Sequence, residues 1–183
     1  RNVTGVQTCA LPIYALKDSS LNPKAPPVIS DDEIRESLQG AQLKSMTDRG
    51  VDFTIFSPIA GQMGHHIGNR NTSETWSAIC NELIHRVCKM YPDKFVGVCQ
   101  LPQSPGVAPA NCIPELEKCV KEYGFIGCNL NPDPSGGYWT DPPLTDKWWY
   151  PLYEKMVELD VPADRKSTRL NSSHIPLSRM PSS

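Results

Sequence analysis

The sequence predicts an α/β fold, a partial (β/α)8 barrel, and three observations predict it. Three short apolar runs, VDFTIFSP (51–58), FVGVCQLP (95–102) and FIGCNLNP (125–132), read as buried parallel strands. Segments with apolar residues at helical spacing separate them. The connections that follow the runs are long and polar, whereas those that precede them are short, such as Tyr91-Pro92-Asp93-Lys94. Long loops on one face and tight turns on the other suit a barrel enzyme. An open doubly wound sheet fits the alternation equally well, but no G-x-G-x-x-G follows a strand to support a dinucleotide site.

The elements follow in order. Residues 14–29 contain Pro23, Pro26 and Pro27 and read as a loop. Ser30 with Glu33 fits a capping box and opens a helix. Ile34, Leu38, Ala41 and Met46 give that helix an apolar face, and Gly50 closes it. After the first strand, Asn71 with Glu74 is expected to open a second helix. Its face is Trp76, Ile79, Cys80, Leu83, Val87 and Met90, and Pro92 stops it. Asn111 to Tyr123 reads as a third helix with Ile113, Leu116, Val120 and Tyr123 inward. A fourth helix ends near Leu159, and Val161-Pro162-Ala163 starts a fourth strand. Each strand is expected to be apolar on both faces.

The two ends have another character. Residues 1–13 and 164–183 lack periodicity. Residues 1–13 read forwards against 176–164 read backwards can all be encoded by reverse-complementary codons: Val3 with His174, Gly5 with Ser172, Cys9 with Thr168, Ile13 with Asp164. Both ends resemble translated sequencing-adapter DNA and are set aside from fold reasoning. The expected native segment is 14–163, a barrel fragment between two non-native tails.

Composition narrows the function. A net charge of −2 offers no bulk basic surface, so neither nucleic acid nor an anionic membrane is an expected partner. No apolar run nears the ~18 residues of a transmembrane helix, and no signal-peptide pattern opens the chain, so a cytoplasmic location is expected. The cysteines number seven and form no CxxC pair. They are expected to be buried thiols of a reducing compartment.

Candidate site residues lie in the loops after the strands. His65 and His66 in the first loop have the side chains to donate to a substrate carboxylate, shuttle a proton or bind metal. The plainer reading is one packing and one solvated histidine. His85 lies on a helix and suits a surface role. Asn129 and Asn131 alternate with Cys128 and Leu130, so both amides share one strand face. That face is either the pocket or a structural amide network. Ser57 ends the first strand. Ser135-Gly136-Gly137 reads as an anion-binding nest or a plain turn.

The segments SPIAGQMGHHIGN, AICNELIHRV, LPQSPGV, CIPELEKCVKEYGF and NLNPDPSGGYWTDPPLTDKWWYPLYEKMVEL together resemble the 4-oxalomesaconate hydratases of the metal-dependent amidohydrolase superfamily. The resemblance runs over nearly all of residues 31–163. It implies a distorted amidohydrolase-type barrel, of which this chain holds about strands two to four and the start of the fifth. It also implies a divalent metal, Zn2+, and a small-molecule carboxylate substrate hydrated during aromatic-compound breakdown. The parent would be a lyase and a candidate homo-oligomer. The substrate-binding residues it points to are His65, His66, Asn129, Asn131, Ser57 and Ser135. The metal ligands it implies fall outside this chain, so the chain alone is expected to be inactive and aggregation-prone. A basic residue is implied where Ile59 stands. A decarboxylase or C–C hydrolase of the same superfamily, or a non-catalytic binding protein on the same fold, are the alternatives.

Overall fold

The computed structural model describes residues 29–58 and 64–165, with only the backbone of Arg165. Both expected tails, apart from Asp164 and Arg165, lie outside the described residues, as do Cys9, His174, Ile59 and most of the loop at 14–29.

The chain alternates helix and strand as the sequence predicts. Helix α1 (Asp31–Leu38) runs through a π-helical turn at Gln39–Leu43 into α2 (Lys44–Asp48). Its capping box is present: Ser30 accepts from the Glu33 backbone, and Glu33 accepts from the Ser30 backbone at 2.7 Å. Such a cap stabilises a helix by about 1 kcal/mol. Gly50 ends this arm at φ +64°, a conformation that glycine adopts without strain.

Strand β1 (Thr54–Phe56) leads to α3 (Arg70–Met90). The helix starts two residues earlier than Asn71 would place it. Asn69 is the cap, its side chain accepting from the Thr72 backbone at 3.0 Å. Glu74 instead pairs with Arg70 at 2.7 Å, one turn back on the same face. The next apolar run divides into β2 (Phe95–Gly97) and β3 (Cys99–Gln100). A 3-10 turn at Pro109–Cys112 opens α4 (Ile113–Lys121), which precedes β4 (Cys128–Leu130). A second 3-10 turn at Lys147–Trp149 opens α5 (Tyr150–Glu158), and β5 (Ala163–Arg165) follows. β5 includes Asp164 and Arg165, because a parallel ladder uses main-chain groups and accepts any extended residue.

Every strand pair is parallel: β1 with β2, β3 with β4, and β4 with β5. The Val98 N–H donates to the Phe56 carbonyl and the Cys99 N–H to the Gly127 carbonyl. The segment 95–100 is therefore one continuous rail, paired on one side with β1 and on the other with β4. Strands thus neighbour one another in chain order with a helix between each pair, the arrangement of a barrel wall.

The core lies between this wall and its helices. Leu116, Cys119, Trp149 and Leu152 from the helices pack on Cys99, Leu101, Cys128 and Leu130 from the strands. Each fully buried large apolar side chain contributes about 2–3 kcal/mol. A second cluster joins Ile34, Leu38 and Met46 to Val87 and Phe95. The cysteines behave as expected of apolar fillers. Cys80, Cys99, Cys112, Cys119 and Cys128 are buried, Cys88 is half-buried, and all six are unbridged. Burial pushes the Cys88 thiol up to about 11. His85 stacks on Tyr123 with ring centroids 4.2 Å apart, so it is half-buried rather than a free surface group.

The expectation of strands apolar on both faces needs correction. The helix-facing side is apolar apart from Thr54 in β1. The other side changes along the wall. Phe53 and Ile55 leave it apolar but uncovered, at 50% and 54% exposure. Further along it carries Val96 and Val98, then Gln100, Asn129 and Asn131. Among the described residues no helix is long and apolar enough to cross a membrane.

Candidate functional site

The polar side chains gather at the C-terminal ends of β3 and β4. Gln100 and Asn129 are register partners on adjacent strands, so their side chains stand on the same face. Both are 1% exposed. Among the described residues, Asn129 has no hydrogen-bond partner for either amide atom, and Gln100 has none for Oε1. Ser104 Oγ, in the loop beyond β3, is also buried without a partner among the described residues. A buried polar group left unpaired costs about 1–3 kcal/mol, so a cluster of them at strand ends marks a place built for something else to bind.

Two amide side chains hold this edge in place. Asn81, fully buried on α3, accepts from the Gln100 N–H at 2.7 Å and donates to the Gln100 carbonyl at 3.0 Å. It imitates a neighbouring strand where β1 has already ended. Its Nδ2 also donates to Glu115 Oε1 at 2.8 Å. Gln103 does the same for Asn131, accepting from its N–H at 2.8 Å and donating to its carbonyl at 3.0 Å.

His65 and His66 part company. His65 is 3% exposed and bonded through both ring nitrogens: Nδ1 lies 3.2 Å from Ser73 Oγ and Nε2 lies 3.3 Å from Gln100 Nε2. Burial, with a smaller contribution from His66, lowers its pKa to about 3. It is therefore a neutral imidazole at ordinary pH and no partner for an anion by charge. His66 is exposed and sits against Gly136 of the third loop. One packing and one solvated histidine is thus what the structure holds, with the packed one in contact with the polar strand ends.

The third loop is stapled by Asp133, which is 2% exposed. The Ser135 N–H donates to Asp133 Oδ1 at 3.0 Å, the Ser135 hydroxyl donates to the same oxygen, and the Gly137 N–H donates to Oδ2. The nest read from Ser135-Gly136-Gly137 already holds a carboxylate, that of Asp133. Asn131 belongs to the same scaffold, since its Oδ1 accepts from the Asp133 N–H at 3.0 Å. Ser57 is half-buried at the end of β1, next to residues 59–63, which lie outside the described residues. Of the predicted residues, the structure brings His65 and Asn129 to one site through Gln100. It ties Asn131 and Ser135 into the loop. Sequence reasoning missed Gln100, Gln103, Ser104 and Asn81. Gln100 had a signal, because a lone amide opposite Cys99 and Leu101 stands on the same face as Asn129.

Gly136 gives a direct check on this loop. Its φ is +77° and a Cβ would press on the His66 ring. Gly136→Ala is expected to lower stability by about 1–2 kcal/mol and to displace His66, read as a change in its NMR ring shifts. A cleft of about 270 Å³ lined by Leu43, Met46, Val51 and Lys94 lies at the opposite ends of the strands, away from this chemistry.

An amide-lined layer at the C-terminal ends of parallel strands is the place where barrel enzymes keep their substrates, and the amidohydrolase family matches residues 10–171. The chain belongs to the amidohydrolase family. This amidohydrolase chain is 58% identical over 137 residues to the 2-keto-4-carboxy-3-hexenedioate hydratase of a Sphingobium species, covering 75% of the chain and 40% of that relative. Among solved structures, 4-oxalomesaconate hydratase from Rhodopseudomonas palustris is 55% identical with a TM-score of 0.77, covering 88% of this chain and 49% of that one. A dihydroxybenzoic acid decarboxylase from a Polaromonas species, with bound manganese and 2-nitroresorcinol, is 26% identical with a TM-score of 0.56, covering 74% and 42%. The chain thus spans less than half the length of these relatives, and its parallel strands form an open segment of the amidohydrolase barrel. A divalent metal occurs in the family, as that manganese shows. Among the described residues no three His, Cys, Asp or Glu side chains are grouped to hold one.

Proposed function

We propose that residues 14–163 are the native segment of a hydratase, a hydro-lyase that adds water across the carbon–carbon double bond of 4-oxalomesaconate or a closely similar tricarboxylic keto or enol acid. The observation that carries this reading is the buried, unpartnered amide layer of Gln100 and Asn129 at the strand ends, in a chain 58% identical to a hydratase. Amide groups hold carboxylates and hydroxyls by direction rather than charge, and their desolvation strengthens each bond formed. Asn129 offers both a donor and an acceptor to such a ligand. His65 stays neutral and steadies Gln100, and His66 stands at the rim beside the third loop. Ser57, Asn131 and Ser135 shape that rim. Fixing the substrate in this way contributes to rate by orientation.

The metal of the whole enzyme is Zn2+ in this reading, held by side chains other than those described. The enzyme works in the cytoplasm, as a homo-oligomer. In aromatic-compound breakdown it acts on a small carboxylate substrate, with neither nucleic acid nor membrane as partner. The experiment is a side-by-side assay of the full-length protein with 4-oxalomesaconate and with 2,6-dihydroxybenzoate. Hydration of the first without release of CO2 from the second is the expected result. The reverse outcome would make it a decarboxylase, and inertness toward both would favour a binding protein.

A further inference from the structure

The hydrogen-bond inventory around Gln100 fixes which end of its amide meets the ligand. Its Nε2 lies 3.3 Å from the Leu101 carbonyl, which can only accept. The nitrogen must therefore point that way. The same Nε2 lies 3.3 Å from His65 Nε2, and since the amide nitrogen can only donate, His65 Nε2 must accept. The remaining proton of the neutral ring then sits on Nδ1 and is donated to Ser73 Oγ, 3.2 Å away. Both Gln100 donors are used, and only the buried Oε1 is left. The Gln100 N–H and carbonyl are both held by Asn81, so the side chain leaves a fixed point.

We infer that Gln100 is a specificity-determining residue that presents its carbonyl oxygen to the pocket and reads a hydroxyl group of the ligand, with His65 as the positioning residue that keeps the amide from turning. This rests on the tricarboxylate reading above and deepens it. An acceptor oxygen repels a carboxylate and rewards an O–H. The ligand carbon beside Gln100 is thus the one that carries a hydroxyl, in the enol form of the substrate or in the hydrated product. Asn129, with both amide atoms open, takes the neighbouring carboxylate.

Citrate and tricarballylate test this without turnover, because they are tricarboxylates that differ by one hydroxyl. Binding to the full-length protein is measured by calorimetry. Citrate is expected to bind at least about tenfold more tightly, the worth of one well-made buried hydrogen bond. Gln100→Met, which keeps length but removes the acceptor, should erase that preference, so that citrate and tricarballylate bind it equally. His65→Gln, whose side-chain oxygen can accept in place of Nε2, should keep most of the preference, and His65→Leu should lose it. A long-range ¹H–¹⁵N spectrum should show His65 as the Nδ1–H tautomer. Equal binding of the two acids by the unaltered protein, persistence of the preference in Gln100→Met, or an Nε2–H tautomer would each overturn the inference while leaving the tricarboxylate reading in place. Failure of both acids to bind would overturn that reading and this inference with it.

Discussion

Replacing Asn81 by alanine should lower the stability of the protein by about 3 kcal/mol or more and abolish ligand binding at the strand ends. Asn81 is fully buried and bonds twice to the Gln100 backbone and once to Glu115, with a longer contact from Nδ2 to Cys99 Sγ at 3.7 Å. The β1 ladder has ended with the bond from Val98 to Phe56, so no strand remains to take over the Gln100 edge. Alanine would leave the Gln100 N–H, its carbonyl and a carboxylate oxygen of Glu115 without the partner they have now. Asn81→Asp should be as damaging, since it keeps the acceptor but loses both donated bonds and faces Glu115 with like charge. Ser77, one turn earlier on the same helix, is the control. Its hydroxyl is buried without a partner among the described residues, so Ser77→Ala should be close to neutral. Denaturant midpoints of the three variants in the full-length protein check the comparison.

The second large effect is on acid stability. His65 titrates near 6.5 when unfolded and near 3 when folded, chiefly because burial disfavours its charged form. Above about pH 6.5 the ring is neutral in both states and makes no difference. Below that, the unfolded chain takes up a proton that the folded one refuses. The folded state then loses about 1.4 kcal/mol for each pH unit until the pH falls through about 3. His65→Gln has nothing to titrate. The difference in unfolding free energy between the variant and the unaltered protein should therefore be flat from pH 8 to 6.5 and slope between pH 6 and 4. The other titrating groups cancel in that difference. A flat difference throughout would show that His65 is solvated and charged at acid pH, and the neutral-imidazole account would fail.

Much of the fold was legible in the sequence because it rests on local signals. The Ser30–Glu33 box, the proline stop after Met90 and the three apolar runs each act within a few residues. The start of α3 was misread because two asparagines compete for it. Asn69 wins because Glu74, the expected partner of Asn71 in a capping box, is drawn to Arg70 instead. The uncovered Phe53 and Ile55 could not be foreseen from an apolar run, since the pattern tells only that a face is apolar and not what lies against it. The site was half legible. Alternation put Asn129 and Asn131 on one strand face without telling which way that face looks, and the same logic applied to Gln100 would have found the partner of Asn129. That Asn131 and Ser135 serve the loop depends on Gln103 and Asp133, whose bonds join residues by geometry that no spacing rule encodes.

The central claim is that a tricarboxylate lies on the amide row of Gln100 and Asn129. A crystal structure of the full-length protein with citrate bound tests it most directly. The account predicts a citrate carboxylate within about 3 Å of the Asn129 amide and its hydroxyl at the same distance from Gln100 Oε1. Citrate seated elsewhere, with the Asn129 and Gln100 amides still unpartnered or paired only with protein, would contradict it.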